Sequence, residues 1–323
     1  MTIEYNGQLD ARSFKDVLGS TIPAMLEADS DIIYLDADLM SCIGTKKYAD
    51  AHPDRAINCG IAEANMMGVA AGLAAAGFKP VCHTFGPFAS RRSFDQVFLS
   101  AGYAGNDITV IGSDPGVCAA FNGGTHMPFE DVALYRAIPT ATIIDITDAY
   151  MLEELLPKVV DIPGVKYIRV GRKNNPHMYA PGTRFTVGKG NVLKDGSDVA
   201  IIACGIMVGK AMAAAAELEK DGINAAVIDM FTIKPLDSEL VLKYAQKTGA
   251  VVVCENHNKI GGLYSAVTEL LARERPTFTG CVAVEDKYGE VGPQDYLEKS
   301  FDLTSEHIIS EVKKTITMAG AAN

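Results

Sequence analysis

The chain has 323 residues, 48% of them hydrophobic and 21% charged, with no tryptophan, enough apolar content for two ordinary domain cores. Its 40 acidic against 29 basic side chains give a formal net charge of -11, unbroken by any Lys/Arg block long enough to follow a phosphate backbone, so neither nucleic acid nor an anionic membrane is expected as a partner. Residues 1–7 lack the basic and apolar segments of a secretion signal, no apolar run approaches the ~18 residues of a membrane span, and the 7 cysteines stand singly without zinc spacing; a soluble, cytoplasmic protein with free thiols is expected.

Along the first half, apolar runs rich in β-branched residues alternate with helical patterns. Strands are expected over 32–35, 80–83, 108–111, 141–144 and 167–170, and helices after Ser13, Gly60, Pro87, Pro128 and Ala149. That alternation is the pattern of a mostly parallel sheet covered on both faces, an α/β fold. After Arg172 it breaks into Asn174-Asn175-Pro176-His177, Pro181-Gly182 and Gly188-Lys189-Gly190, which divides the chain into domains at 1–180 and 181–323. The second, smaller α/β series runs through 199–203, 226–228, 251–253 and 281–284. It ends in an amphipathic helix of about 305–318 whose apolar face is expected to be available to a partner. Gly188-Lys189-Gly190 imitates a dinucleotide loop but lacks the third glycine and opens a strand, and no Gly-Lys-Ser/Thr phosphate loop occurs.

The richest local signal is Gly60-Ile61-Ala62-Glu63, which leads into an Ala/Gly-rich stretch ending at Gly77. It places one carboxylate, Glu63, at the start of a helix of small residues. Small residues let a second surface approach closely, and a carboxylate there is poorly solvated and needs a partner. Phe85 and Phe88 follow the strand at 80–83. His126 closes Gly123-Gly124-Thr125-His126, a loop of the kind that carries chemistry at the ends of parallel strands. Asp36, Asp38 and Ser41 follow the first strand, where turn formation alone would explain them.

Eight spaced segments together resemble the transketolases: Gly60-Ile61-Ala62-Glu63, Thr84-Phe85, Phe94-Asp95-Gln96-Val97, Gly123-Gly124-Thr125-His126, Arg136-Ala137-Ile138-Pro139, Met230-Phe231-Thr232-Ile233-Lys234-Pro235-Leu236-Asp237, Glu255-Asn256-His257 and Gly261-Gly262-Leu263. In that order they cover nearly the whole chain and resemble the C-terminal subunit of a split transketolase, a pyrimidine-binding domain followed by a transketolase C-terminal domain. The resemblance implies thiamine diphosphate as cofactor. It also implies Mg2+ held mainly by a separate N-terminal subunit, since the Gly-Asp-Gly of the diphosphate half is absent here. A two-plus-two heterotetramer is implied, acting on sugar phosphates in pentose phosphate metabolism.

By resemblance, Glu63 hydrogen-bonds N1′ of the aminopyrimidine, Phe85 and Phe88 line that ring, and Asp38 lies near the cofactor. His126 contacts substrate hydroxyls and moves protons during carbon–carbon cleavage, with Ser41 and Asn122 nearby. Arg12 and Arg172 match positions that bind a substrate phosphate, for which a guanidinium fork is suited; solvated surface arginines are the alternative. Two departures from the family pattern stand out. Asn122 takes the place of an aspartate, and Ser113-Asp114 the place of a phosphate-contacting histidine. A carboxylate beside a phosphate repels it, so either Asp114 points away or the sugars differ, which keeps branched or sulfonated ketoses in view. A 1-deoxyxylulose-5-phosphate synthase-like enzyme, a 2-oxoacid dehydrogenase E1 β-like subunit and a non-catalytic regulatory subunit are the remaining alternatives.

Overall fold

The computed structural model describes residues 2–321. Twelve strands are arranged in two sheets: β1 (Ile32–Asp36), β2 (Ala56–Asn58), β3 (Lys79–Phe85), β4 (Ile108–Ser113), β5 (Thr142–Asp145), β6 (Val165–Val170), β7 (Asn191–Lys194), β8 (Val199–Ala203), β9 (Ala225–Asp229), β10 (Thr232–Lys234), β11 (Ala250–Asn258) and β12 (Phe278–Val284). The first sheet has seven strands in the order β10-β5-β6-β4-β3-β1-β2, and the second has five in the order β12-β11-β8-β9-β7. All pairings are parallel except β10 on β5 and β7 on β9. Strands β1, β4, β5 and β6 are buried along their whole length, as continuous apolar runs in a sheet covered on both faces should be.

Two helices of the first layer carry the start signals that their sequences announce. Ser13 caps Phe14–Ala28 in a reciprocal box with Asp16, and Asp148 caps Ala149–Val159 by accepting from the Met151 amide at 2.8 Å. Elsewhere the sequence reading needs correction. Pro128 does not begin a helix; the helix runs Asp131–Arg136. The segment after Pro87 is a single turn, Gly86–Ala89, followed by a π-helical stretch, Val97–Tyr103. The closing helix, Ser305–Ala321, buries Ile308 and Val312 against β11, β12 and the helix Met207–Lys220, so that apolar face is covered by its own chain.

The two halves interlock. Strand β10 comes from the second half yet completes the first sheet, and Lys234 Nζ donates to the carbonyls of Arg136 and Ile138 at 3.0 and 2.6 Å. Beneath the junction Arg169, fully buried on β6, donates to Asp131 at 2.7 Å, to Asp145 at 2.5 Å and to the Asn256 carbonyl at 3.0 Å. Such a charge is tolerable only because carboxylates and a carbonyl surround it. Among the described residues no helix is long and apolar enough to cross a membrane.

What this arrangement contributes to function is an edge. The strand partners Asp36–Asn58, Asp36–His83, Phe85–Ser113 and Ser113–Val170 lie side by side. The turns after β1, β2, β3, β4 and β6 therefore emerge together at the C-terminal ends of the parallel strands, where folds of this kind bind ligands.

Candidate functional site

Glu63 is the first residue of the helix Glu63–Ala75, where the helix dipole favours a carboxylate. The turn that delivers it contains Gly60 at φ +71°, a conformation glycine enters without a Cβ penalty. Asn58 Oδ1 accepts from the Gly60 amide at 2.8 Å and the Asp38 amide at 3.2 Å, and its Nδ2 donates to Asp38 at 2.9 Å. Asp38, exposed and at φ +65°, thus ties the turn after β1 to the turn that carries Glu63.

The Glu63 side chain is 2% exposed. Its Oε1 accepts from Arg92 Nη1 at 2.8 Å, while its buried Oε2 has no hydrogen-bond partner among the described residues. Leaving such an atom unpaired costs about 1–3 kcal/mol. The same helix turns Met66, Met67, Ala70 and Ala71 inward. Outward it presents Asn65, Gly68, Val69 and Gly72, and a Cβ placed at Gly68 or Gly72 would meet nothing within 4 Å.

Beside Glu63 stands an aromatic wall. Phe85 ends β3, Phe88 follows one turn later, and the two ring centres are 6.3 Å apart. The His126 ring meets both edge-on, at 5.8 Å from Phe85 and 5.1 Å from Phe88. Arg92 lies over Phe88 at 3.8 Å and Arg172 over Phe85 at 5.1 Å, both within the range of cation–π attraction. His126 Nδ1 is paired with Thr125 Oγ1 at 2.9 Å, which leaves Nε2 as the ring nitrogen available for chemistry.

Arg172 also pairs with Asp114 at 2.5 Å. The Asp114 carboxyl is raised by burial, against the pull of Arg172, and the Cys42 thiol is within hydrogen-bonding reach of the same guanidinium. Asp114 therefore does not point away. Glu63, Arg92, Phe88, His126, Phe85, Arg172 and Asp114 form one continuous series of contacts.

Asp38, bonded to Asn58, lies apart from that series, as do Arg12, Ser41 and Asn122. Arg12 is exposed and pairs with Glu153 at 2.6 Å. Ser41 is exposed, and its neighbour Cys42 is the residue that reaches Arg172. Asn122 is exposed at the end of the 3-10 segment Gly116–Asn122. Sequence reasoning missed Arg92, Asn58 and Cys42. For Arg92 a signal existed: Arg91-Arg92 directly follows the Phe88 turn.

The second half of the chain holds the His126 loop. Asn256 Oδ1 accepts from the Val117 amide at 3.0 Å, and its Nδ2 donates to the Pro115 carbonyl at 2.9 Å. A Cβ at Gly116 would lie 2.1 Å from Asn256 Oδ1, and one at Gly124 would lie 2.4 Å from the Gly289 carbonyl oxygen. Within this braced loop Ala120 adopts φ 48°, ψ -121°, at a cost of about 1–3 kcal/mol that the surroundings must sustain. Cys118 is buried there, and burial pushes its thiol pKa up, so it is an inert core thiol.

A further set, Asp36–His83–Ser113, is linked at 2.7 and 3.0 Å in the order of a nucleophilic triad. All three are fully buried, and Tyr34 also donates to Asp36 at 2.5 Å. With no access to Ser113, this network fixes the ends of β1, β3 and β4 beneath the wall. Among the described residues no group of three or more His, Cys, Asp or Glu side chains is arranged to hold a metal ion.

Comparison with known proteins bears on this geometry. The model described as "Transketolase, pyrimidine binding domain" matches residues 10–177, and that described as "Transketolase, C-terminal domain" matches residues 188–308. A 6-deoxy-6-sulfo-D-fructose transketolase subunit of Clostridium sp. (strain MSTE9) is 44% identical across 96% of this chain and 96% of its own. An apulose-4-phosphate transketolase subunit of Phocaeicola vulgatus is 35% identical across 85% of this chain and 87% of its own. A solved structure described as a split gene transketolase, inactive beta4 tetramer, matches with a TM-score of 0.87 at 38% identity, over 95% of this chain and 99% of that one.

Proposed function

The chain belongs to the transketolase family, and from that premise we propose that it is the C-terminal subunit of a two-chain, thiamine-diphosphate-dependent transketolase. It transfers a two-carbon ketol unit from a ketose to an aldose, in the cytoplasm, at a site completed by an N-terminal subunit in a two-plus-two assembly. The observation that carries the reading is the buried, unpartnered Oε2 of Glu63 beside the wall of Phe85, Phe88 and His126. That combination fits a flat heterocycle with a ring nitrogen.

When bound, thiamine diphosphate supplies the carbon nucleophile and electron sink for the transfer, with its Mg2+ on the partner's half. Glu63 would hold N1′ of the aminopyrimidine and share a proton there, with Arg92 fixing the carboxylate in place. Phe85 and Phe88 orient and dehydrate the ring by apolar contact. His126 Nε2 would give and take the proton at a substrate oxygen as the carbon–carbon bond breaks and re-forms. The open helix face at Gly68 and Gly72 is the surface we assign to the partner subunit.

A sulfonated or branched ketose is the second reading of the donor. The names of the Clostridium and Phocaeicola relatives favour it, as does a carboxylate, Asp114, seated on Arg172.

The test mixes this chain with its cognate diphosphate-binding subunit, cofactor and Mg2+, and supplies ketose donors with ribose 5-phosphate or glyceraldehyde 3-phosphate. Turnover is expected from the mixture and not from this chain alone. Glu63→Gln should lower kcat by about 10²–10⁴-fold while leaving association intact. Turnover by the isolated chain would refute the shared site, and full activity of the variant would refute the role of Glu63.

A further inference from the structure

We propose that Asp114 and Arg172 form the specificity element of this site, selecting a sugar whose far end bears a single negative charge, as a sulfonate does, over one bearing a phosphate dianion. The inference rests on the ketol-transfer reading for the sugar itself.

The pair belongs to the site by geometry. Asp114 follows the end of β4 and Arg172 the end of β6, strands paired at Ser113–Val170. The Arg172 guanidinium covers Phe85, whose ring also meets His126. Asp114 is 2% exposed and sits at φ +56°, the left-handed region that aspartate and asparagine tolerate better than most side chains. Its carboxylate is thus turned inward onto Arg172 rather than left in solvent.

Charge then decides what the pair accepts. Arg172 and its exposed neighbour Lys173 contribute two positive charges, and Asp114, which feels both, removes one. The sum is one positive charge. A sulfonate carries one negative charge at any ordinary pH, whereas a phosphate ester carries about -1.5 to -2 at pH 7. The surplus charge on the phosphate would face the Asp114 carboxylate in a half-buried setting where screening is weak. Arg12, the other arginine matched to an anion, is already bound to Glu153.

The test is equilibrium dialysis of the assembled two-chain enzyme with two six-carbon ketoses that differ only at C6, fructose 6-phosphate and 6-deoxy-6-sulfofructose. Wild-type protein is expected to bind the sulfonate at least tenfold more tightly. Asp114→Asn keeps the backbone conformation and a hydrogen-bonding side chain beside Arg172. It should tighten the phosphate ester tenfold or more and the sulfonate by a smaller factor, so that the preference narrows or reverses. Arg172→Gln should weaken both at least tenfold. Equal or tighter binding of the phosphate ester by wild type overturns the proposal, as does an equal response of both ligands to Asp114→Asn, or no binding of either. Sulfonate-selective binding without turnover counts against the ketol-transfer reading and leaves the charge selection standing.

Discussion

Replacing Asn256 by alanine should loosen the loop that carries His126 without unfolding either sheet. The buried side chain bonds to two backbone groups of that loop, accepting from the Val117 amide at 3.0 Å and donating to the Pro115 carbonyl at 2.9 Å, and its Nδ2 also reaches Cys118 Sγ at 3.8 Å. Truncation removes both backbone bonds and leaves the Val117 amide buried without a partner, at about 1–3 kcal/mol, while the Pro115 carbonyl keeps the Cys118 amide at 3.1 Å. The lost bond to that carbonyl adds to this and water entering the vacated space recovers part of it, so a net local cost of about 2 kcal/mol is expected. That figure corresponds to roughly a thirtyfold rise in the opening equilibrium of the segment. Hydrogen exchange read at the Val117 amide should therefore accelerate about thirtyfold, while amides in β8 and β11 exchange as before. Gly116→Ala should act in the same direction, because its Cβ would sit 2.1 Å from Asn256 Oδ1 at a position with φ +50°. Val117 exchange unchanged within threefold in Asn256→Ala would refute the argument that the second half of the chain braces this loop.

Two further outcomes follow from the same geometry. Gly72→Leu places a large side chain on the open face of the Glu63 helix. Removing a helix glycine should hold or raise the stability of the isolated chain, by up to about 1 kcal/mol, while abolishing association with the diphosphate-binding subunit. Unchanged affinity in sedimentation would refute that face as the docking surface. Glu255 supplies a pH dependence. Burial raises its carboxyl to about 7, against the Tyr264 and Leu263 amides that favour the anion, whereas an unfolded glutamate titrates near ~4.3. Between those values the folded chain keeps a proton that the unfolded chain has released, so this group's contribution, complete below about pH 4.3, is lost as pH rises through 7. Glu255→Gln does not titrate. Its stability relative to wild type should therefore improve by about 2–3 kcal/mol from pH 5 to pH 8 in urea denaturation, and parallel pH profiles would refute the assignment.

Much of the architecture was legible because long buried strands write continuous apolar runs: β1, β4, β6, β8 and β11 all fall where such runs stand in the sequence. The three-residue strands β2 and β10 were not. Ala56–Asn58 and Thr232–Lys234 are too short to carry a period, and β10 pairs across the chain with β5, a partner that no local pattern can name. The helix after Pro128 was misplaced for a related reason. A proline suits a first helical turn, but here the chain must first carry Phe129 inward before Asp131 meets Arg169.

Site residues divide in the same way. Glu63, Phe85 and Phe88 lie close to strand ends or a helix start, and the parallel sheet alone brings those positions to one edge, whereas the His126 loop is also held by the second half of the chain. Arg92, Cys42 and Asn256 act through distance in sequence. The Glu255-Asn256-His257 string was conspicuous, yet its role depends on where β11 ends relative to Pro115. Glu255 caps the helix Leu263–Glu274 through two backbone amides. The side chain of its neighbour Asn256 reaches Val117, and the carbonyl of Asn256 accepts from Arg169. One short segment of the second half thereby closes its own helix, receives the buried arginine of the first sheet and holds the loop before His126. A change that displaces β11 must disturb all three, and that coupling is a physical reason for this site to be built on two sheets instead of one.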